Sequence, residues 1–194
     1  EKSFPADNGF SGKMQKLGRE EVLPYQYNIL NDAIPGIEKS HAIENIRLAA
    51  EKLSGKDVKP DEFYGMVFQD SDVAKWIEAA AYALAAGEDP ELEKAVDETI
   101  QLYGASQHED GYVDSYFTVK CPDKMWTNIC DAHELYCAGH MMEAAVAYYE
   151  VTGKRELLDI MSKSADCIYE QFMRKNTRAY PGHPEVELAL MRLW

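Results

Sequence analysis

Four side chains that could bind a metal ion or do acid–base chemistry lie in one short segment. The sequence CDAHELYCAGH carries Cys130, His133, Cys137 and His140 on a 3-4-3 spacing. On a helix these four side chains would share one face, within an arc of about 80°. Cys130 and His140 would nevertheless lie about 15 Å apart along the helix axis. Zinc holds its ligands at about 2.0–2.3 Å, so one ion cannot bind all four.

A smaller metal site would need ligands from elsewhere in the chain. His133 and Cys137 could chelate as a pair, but the sequence has no Cys-x-x-Cys and no His-Glu-x-x-His to complete the set. We therefore assign no metal ligand to this sequence and interpret Cys130, Cys137 and His140 as a core stripe. Cys130, Cys137 and Cys167 are predicted to be buried, reduced thiols within helices. His133 differs, because it lies near the start of a helix predicted from Asp131 and can face a cleft.

The overall charge excludes some classes of partner. The sequence has 34 acidic and 20 basic residues, a formal net charge of −14. Nucleic-acid binding needs a basic face that displaces counterions, so no nucleic-acid partner is expected. No apolar run reaches the roughly 18 residues of a transmembrane helix, so no membrane partner is expected either. The cysteine content requires no oxidising compartment, and cytoplasm is the default location.

Hydrophobic periodicity predicts a chain made almost entirely of helices. One predicted helix runs from the N-cap candidates Ser71 and Asp72 to Gly87, and the next begins at Asp89 with Pro90 in first position. A third runs from Asp131 to Gly153 and is followed at once by a helix over KRELLDIMSKSADCIYEQF. The last begins near Pro184. An earlier helix is expected to start or break near Pro24. The segment GYVDSYFTV is interpreted as a loop or a short hairpin arm.

An internal repeat organises these helices. EAAAYALAAGEDPELEKAVDET, from Glu78, aligns with EAAVAYYEVTGKRELLDIMSKS, from Glu143, and ELALMRLW resumes the pattern at Glu187. Each unit is a helical hairpin whose first helix is rich in small apolar residues and whose second is more charged. The first helix suits an inner position and the second an outer one. Such hairpins form either a straight solenoid or a closed α/α toroid, and the periodicity alone leaves both open.

Three loops precede the first helices of the units and have a similar character. They read GMVFQDSD, WTNICDAHE and RAYPGHPE, and they place Gln69, Asp70, His133 and His183 near helix N-termini. Aromatic faces beside hydrogen-bonding groups are what a neutral sugar ring requires. The same residues could equally be ordinary caps and turn residues. Both interpretations stay open on these residues alone.

The segments GMVFQDSDVAKWIEAAAYALA, DGYVDSYF, HELYCAGHMMEAAVAYYEVTGKRELLDI and GHPEVELALMRLW occur in this order. Together they make the chain, from about Pro24 to Trp194, similar to the N-terminal part of glycoside hydrolase family 127, the bacterial β-L-arabinofuranosidases and their relatives. The resemblance implies an (α/α)6 toroid, of which residues 1–194 would be an N-terminal portion truncated inside a helix. It also implies retaining, exo-acting hydrolysis of terminal β-L-arabinofuranosyl residues from plant glycans or glycoproteins.

The resemblance also implies roles for particular residues. His133, in the His-Glu-x-Tyr motif, and His183, in the Gly-His-Pro-Glu motif, resemble sugar-binding histidines, and Phe68 resembles a wall of the same pocket. Gln69 and Asp70 are further candidates. The family's nucleophile is a zinc-bound cysteine and its acid/base is a glutamate, both expected downstream of residue 194. No catalytic residue is therefore assigned to this chain, and the fragment alone is expected to be inactive.

Two other classes of function are compatible with the sequence. The chain could be a non-catalytic carbohydrate-binding or helical interaction module. It could also belong to another (α/α)6 sugar enzyme, such as an unsaturated glucuronyl hydrolase or an epimerase. An anionic sugar would need a basic residue at the three loops, which offer chiefly Arg178. Part of a toroid would also expose the apolar edges of its inner helices, so a homo-oligomer is possible.

Overall fold

The computed structural model describes residues 9–194, and every regular element in that range is helical. Residues 1–8 of the predicted domain lie outside the described residues. The α-helices are α1 (Phe10–Leu17), α2 (Leu23–Leu30), α3 (Ala42–Leu53), α4 (Asp70–Ala86), α5 (Pro90–Ala105), α6 (Ser115–Lys120), α7 (Glu134–Thr152), α8 (Glu156–Tyr169) and α9 (Glu185–Leu193). π-Helical segments span Gly18–Val22 and Glu170–Arg174, and short 3-10 turns span Pro60–Glu62 and Pro122–Lys124. The predicted all-α fold is confirmed.

The predicted hairpin repeat is also confirmed. The first unit is α4 with α5, the second is α7 with α8, and α9 starts a third. Helix α4 packs along α7, and α7 packs along α9, whereas α5 packs against α8. The first helices of the units therefore lie side by side, and the second helices form a separate layer. In the part of the chain that the structure describes, no helix is long and apolar enough to cross a membrane.

Helix α7 is the central element of this layer, because it is buried on nearly all sides. Small residues, among them Ala138, Gly139, Ala144 and Ala145, are buried along it. Small side chains let neighbouring helices approach closely, and α7 has such neighbours in both α4 and α9. A helix that is buried around most of its circumference belongs in an interior, which is the inner position that the repeat predicted.

The helix expected to start or break near Pro24 does so. The α-helix α2 begins at Leu23, with Pro24 in its first turn, and it follows α1 through the π-helical segment Gly18–Val22 without a gap in helical structure. Proline has no N–H, and its ring collides with the carbonyl four residues earlier in a regular α-helix. The wider π turn lies immediately before Leu23 and Pro24, where it makes room for that ring.

The predicted helix starts near Asp89 and Pro184 are confirmed, and at Asp89 a side chain closes the first turn. Asp89 Oδ1 accepts a hydrogen bond from the Leu92 N–H at 3.1 Å, and Pro90 begins α5, as predicted. The N-cap assignment of Ser71 and Asp72 is wrong, because α4 already begins at Asp70 and both residues lie inside its first turn. The next inner helix was predicted to begin at Asp131, which is also wrong, because α7 begins three residues later at Glu134.

The segment GYVDSYFTV forms a short helix, so its interpretation as a loop or hairpin arm is wrong. Asp114 caps this helix, because its Oδ1 accepts a hydrogen bond from the Phe117 N–H at 3.0 Å. Ser115 then joins the helix to α4: its N–H donates to Asp70 Oδ2 at 2.7 Å, and its hydroxyl donates to the same carboxylate. The N-cap signal was present in the sequence but was outweighed by a weak strand-like alternation.

We expect the 194-residue chain to self-associate through α9. Leu188 and Met191, 60% and 75% exposed, form an apolar face on the side of α9 away from α7. Burial of such a face against a second copy removes apolar area from water. Light scattering should show species larger than a monomer, and the double variant Leu188→Glu/Met191→Lys should be smaller. A wild-type chain that stays monomeric at high concentration would contradict the expectation.

Candidate functional site

The three loops before α4, α7 and α9 meet at one end of the inner helices. Phe68 comes from the first loop, His133 from the second and His183 from the third. The ring centroids of Phe68 and His133 are 5.3 Å apart, and those of His133 and His183 are also 5.3 Å apart. These three rings, which the family resemblance assigned to a sugar site, therefore form one continuous group. We call this group, together with Tyr136, the ring cluster.

Tyr136 and Lys75 belong to the same place and were missed in the sequence. Tyr136 lies one turn after His133 on α7, and its ring centroid is 5.5 Å from that of His133 and 5.1 Å from that of His183. Lys75, one turn into α4, donates a hydrogen bond to the Tyr136 hydroxyl at 3.0 Å. The i, i+3 spacing from His133 was the available signal for Tyr136. Nothing in the sequence pairs α4 with α7 so as to indicate Lys75.

The conformation of His133 leaves its Nε2 without a hydrogen-bond partner among residues 9–194. His133 has φ +62°, an uncommon left-handed conformation, and it stands just before α7 as its N-cap residue rather than in the first helical turn. Its Nδ1 lies 2.6 Å from the Asp131 carbonyl oxygen. A carbonyl only accepts, so Nδ1 carries a proton, and in the neutral form of the ring Nε2 is the acceptor. That acceptor is available to a ligand hydroxyl.

Glu134 anchors the loop that presents His133. Its carboxylate accepts hydrogen bonds from the Tyr112 hydroxyl at 2.6 Å and from the Trp126 N–H at 3.0 and 3.1 Å. Burial raises the pKa of Glu134, and these hydrogen bonds oppose that rise. Tyr112 comes from the segment before α6, so one buried carboxylate joins three parts of the chain. The neighbouring His133 is positioned by this anchor.

A backbone contact holds the His183 loop against the His133 loop. The Gly182 N–H donates to the Cys130 carbonyl at 3.1 Å, and a Cβ on Gly182 would collide with that same carbonyl oxygen. Only glycine allows this approach. Cys130 is exposed and lies in the loop outside α7, so its predicted burial in a helix is wrong. Cys137 and Cys167 are buried in helices, as predicted.

Gln69 and Asp70 direct their polar atoms into the protein. Gln69 Nε2 donates to the Ser40 carbonyl at 3.0 Å, and its Oε1 accepts from the Met66 N–H at 3.0 Å. Asp70 is 3% exposed, and its two oxygens accept from Ser115. Both side chains thus hold the first loop in place, and the structure does not bring them into the ring cluster with free hydrogen-bonding groups.

A second row of polar residues continues from the ring cluster along the inner helices. His140 lies one turn below Tyr136, with ring centroids 4.4 Å apart, and its Nδ1 is 3.3 Å from Glu185 Oε1. Burial lowers the pKa of His140 and raises that of Glu185. His140 was predicted to pack in a core stripe with Cys130, and that stripe is wrong because α7 starts only at Glu134. His140 instead faces α9.

The row ends in a charged cluster that joins all three inner helices. Arg192 of α9 pairs with Glu143 of α7 and lies 3.3 Å from Glu78 of α4. It also donates to the Tyr82 hydroxyl at 3.2 Å. Arg192 thus contacts carboxylates on two other helices and connects α9 to both α4 and α7. The structure therefore has a polar strip that crosses α4, α7 and α9 below the ring cluster.

The described residues do not form a site that fits zinc. Among residues 9–194, no three histidine, cysteine or carboxylate side chains converge so that they could hold a metal ion. Cys137 is the thiol on the helix nearest the ring cluster, and burial raises its pKa well above the usual range, which disfavours the thiolate that zinc requires. The ring cluster itself supplies flat faces and neutral hydrogen-bonding groups, which suit the binding of a polyhydroxylated ring.

Comparison with known proteins gives this arrangement a family. The sequence profile described as "Beta-L-arabinofuranosidase, GH127 catalytic domain" matches residues 6–194. The chain belongs to the GH127 family. Its all-α hairpins are part of the family's (α/α)-type toroid, as the resemblance implied.

Individual GH127 proteins resemble the chain over nearly its whole length. A "Non-reducing end beta-L-arabinofuranosidase" from Bifidobacterium longum subsp. longum is 42% identical over 195 residues, covering 90% of this chain and 28% of that protein. The crystal structure of a GH127 β-L-arabinofuranosidase from Geobacillus stearothermophilus T6 superposes with a TM-score of 0.90 at 52% identity, covering 99% of this chain and 30% of the other. A further GH127 β-arabinofuranosidase structure superposes with a TM-score of 0.83 at 31% sequence identity, covering 98% of this chain and 30% of the other. The chain thus spans less than a third of the length of each relative.

Proposed function

We propose that this chain supplies the sugar-binding part of a retaining, exo-acting glycoside hydrolase that removes terminal β-L-arabinofuranosyl residues from plant glycans or glycoproteins. The observation that carries the proposal is the convergence of Phe68, His133 and His183 from three separate loops. The GH127 relatives, named as arabinofuranosidases, support the substrate class.

The chemistry of the ring cluster fits a neutral pentose. The face of Phe68 can cover the C–H face of a furanose, and the free Nε2 of His133 can accept a hydroxyl proton. Lys75 and the Tyr136 hydroxyl stand beside it as further hydrogen-bonding groups. The net charge of −14 disfavours anionic sugars, which argues for an arabinofuranoside over the uronic acid substrate of another (α/α)6 enzyme.

In this proposal the present residues bind and orient the sugar, and other residues perform the bond cleavage. The family resemblance places the nucleophilic cysteine, its zinc ion and the acid/base glutamate outside this sequence. Zinc, when bound there, would hold the cysteine as a thiolate nucleophile. The cluster's own contribution is to hold the ring and exclude water from one of its faces.

Binding of methyl β-L-arabinofuranoside to the 194-residue chain tests the proposal. We expect saturable chemical-shift changes in NMR titrations and at least about tenfold weaker binding in the variants His133→Ala and His183→Ala, as for the loss of one good hydrogen bond. Methyl β-D-glucuronide should not compete. Tyr169→Ala is the control for loss of an aromatic side chain, because Tyr169 is exposed at the end of α8 and lies outside the ring cluster.

Three results would contradict parts of the proposal. If the wild-type chain binds no arabinofuranoside, the ring cluster is not the sugar site. If the glucuronide binds instead, the alternative class of (α/α)6 enzyme is favoured. Hydrolysis of the glycoside by the pure 194-residue chain would show that the catalytic groups lie within it.

A further inference from the structure

Four consecutive buried residues that lead into α6 connect distant parts of the chain. Residues Tyr112–Ser115 are each at most 5% exposed. At one end of this segment, the Tyr112 hydroxyl donates to Glu134 Oε1 at 2.6 Å. At the other end, the Ser115 N–H donates to Asp70 Oδ2 at 2.7 Å, and the Ser115 hydroxyl donates to Oδ1 of the same carboxylate. We call residues Tyr112–Ser115 the clasp.

The clasp joins two of the three loops that form the ring cluster. Asp70 lies two positions after Phe68, and Glu134 directly follows His133. Each carboxylate therefore fixes the backbone beside one residue of the ring cluster, and the clasp holds both carboxylates. A displacement of the clasp would change the separation of Phe68 and His133, whose ring centroids are 5.3 Å apart.

Asp114 lies within the clasp and is less well satisfied than the carboxylate that Ser115 holds. Its Oδ1 accepts from the Phe117 N–H at 3.0 Å, but its Oδ2 is buried and has no hydrogen-bond partner among residues 9–194. Asp70 accepts hydrogen bonds on both oxygens and lies in the first turn of α4, where the helix dipole favours negative charge. When only one of the two carboxyl groups is ionised, the proton therefore stays on Asp114.

Other titratable groups face Asp114 from the elements packed around it. They are Asp70 on α4, Tyr103 on α5, Tyr112 before α6, Tyr116 on α6, and Glu134 and Cys137 on α7, while His108 and Cys167 pack against Tyr112. Burial, and after it the charge of Asp70, raises the pKa of Asp114 well above its usual range. Ionisation of Asp114 adds a charge to a buried space that already holds other acidic groups.

We propose that the clasp positions Phe68 and His133 to bind the sugar, and that it does so only while Asp114 carries a proton. Loss of this proton places a negative charge near Asp70, and the repulsion moves the clasp away from the carboxylates that it holds. The sugar is then bound more weakly as the pH rises. Asp114 is a positioning residue, because it acts through the two loops. The inference rests on the proposed function for its ligand, whereas the movement of the clasp can be measured without any sugar.

Binding of methyl β-L-arabinofuranoside to the 194-residue chain at pH 7 and pH 9 tests the positioning role. Both values lie above the ordinary histidine pKa of about 6.5. We expect the wild-type Kd to rise at least about threefold, within the limit of about tenfold per pH unit for one linked proton. In Asp114→Asn the Kd should change less than about twofold, because the amide carries no charge at either pH. Asp166→Asn, exposed on α8, should keep the wild-type pH dependence.

The indole N–H resonance of Trp126 reports on the clasp in the absence of sugar. The ring centroid of Trp126 is 5.0 Å from that of Tyr112, and its backbone N–H donates to Glu134. Trp126→Phe assigns this resonance in the NMR spectrum. We expect it to shift between pH 7 and pH 9 in the wild-type chain and to stay in place in Asp114→Asn. Circular dichroism verifies that each protein remains folded at both pH values.

The outcomes separate this inference from the proposed function. A wild-type Kd that is constant or falls with pH, or a rise that persists in Asp114→Asn, overturns the positioning role of the clasp and leaves the ring cluster as a sugar site. An absence of sugar binding at both pH values overturns the proposed function. In that case a Trp126 shift that Asp114→Asn abolishes still supports the proton-dependent clasp, and a resonance that does not move overturns it.

Discussion

Replacement of Gly139 by alanine should destabilise the chain by about 1–3 kcal/mol and displace α9 from α7. A Cβ on Gly139 would lie 2.8 Å from Glu185 Cγ, 2.9 Å from the Glu185 carbonyl carbon and 2.9 Å from the Val186 nitrogen. Two of these atoms are backbone, so no side-chain rotation can relieve the collision. The first turn of α9 must move, and His183 lies two residues before Glu185. We therefore expect weaker binding of the arabinofuranoside as well as lower stability.

Gly104→Ala is the matched control for this substitution. Gly104 also lies inside a helix, α5, and a Cβ there would lie 2.8 Å from Ile160 Cδ1, the movable end of a side chain. Since alanine is the better helix former by up to about 1 kcal/mol, Gly104→Ala should be neutral or stabilising. Urea unfolding followed by circular dichroism measures both variants. Equal stability of the two would show that α9 does not depend on close packing at Gly139.

Asp114→Asn should stabilise the chain by about 1–3 kcal/mol near neutral pH. Asp114 is 2% exposed, and its Oδ2 has no hydrogen-bond partner among the described residues. Burial and the nearby Asp70 and Glu134 carboxylates raise the pKa of Asp114 well above its usual range. Asparagine keeps the Oδ1 acceptor that caps α6. Its neutral NH2 group replaces Oδ2, an oxygen that can carry charge and has no hydrogen-bond partner among the described residues.

The pH dependence of the stabilisation has a definite sign. A carboxyl group whose pKa is raised in the folded state binds more protons there than in the unfolded state. Its contribution to stability is therefore fully present below the unfolded pKa of about 3.9 and is lost as the pH rises through the folded pKa. The advantage of Asp114→Asn should accordingly be small at pH 4 and grow toward pH 8.

Urea unfolding of the Asp114→Asn variant at several pH values measures this dependence. Several other titratable groups surround Asp114, and all are present in both proteins. They are Asp70, Tyr103, Tyr112, Tyr116, Glu134 and Cys137. Asp166→Asn, exposed on α8, controls for the loss of one negative charge. A variant that is less stable than wild type at pH 8, or whose advantage shrinks as the pH rises, would contradict the assignment.

Most of the fold could be predicted from the sequence, because its signals are local. The cap at Asp89 with Pro90, the terminating glycines Gly87 and Gly153 and the helical spacing between them depend on neighbouring residues only. The repeat then indicated which helix of each pair is inner. Errors arose where a distant contact sets the boundary. Helix α7 begins at Glu134 because its carboxylate is held by Tyr112 and Trp126, and no local pattern shows that anchor.

The candidate site divides in a similar way. His133 and His183 were singled out in two of three loops of similar character, and the family resemblance added Phe68. Tyr136 and Lys75 were missed, since their importance lies in a contact between α4 and α7. Gln69 and Asp70 were also candidates, because they have sugar-binding chemistry and lie in the same loop as Phe68. Their hydrogen bonds to Ser40, Met66 and Ser115, however, are contacts that spacing along the chain does not reveal.

The segment around Cys130 shows both contributions. By its own spacing the sequence determined that the two cysteines and two histidines cannot hold one metal ion, because helix rise separates them too far. The tertiary structure decided what each does instead. Cys130 is exposed in a loop against Gly182, and Cys137 is buried. His140 faces Glu185. The ring of His133 contacts those of Phe68 and His183. The order of residues sets helix period and length. Which residues meet across helices depends on packing, where a single glycine or a buried carboxylate selects the neighbour.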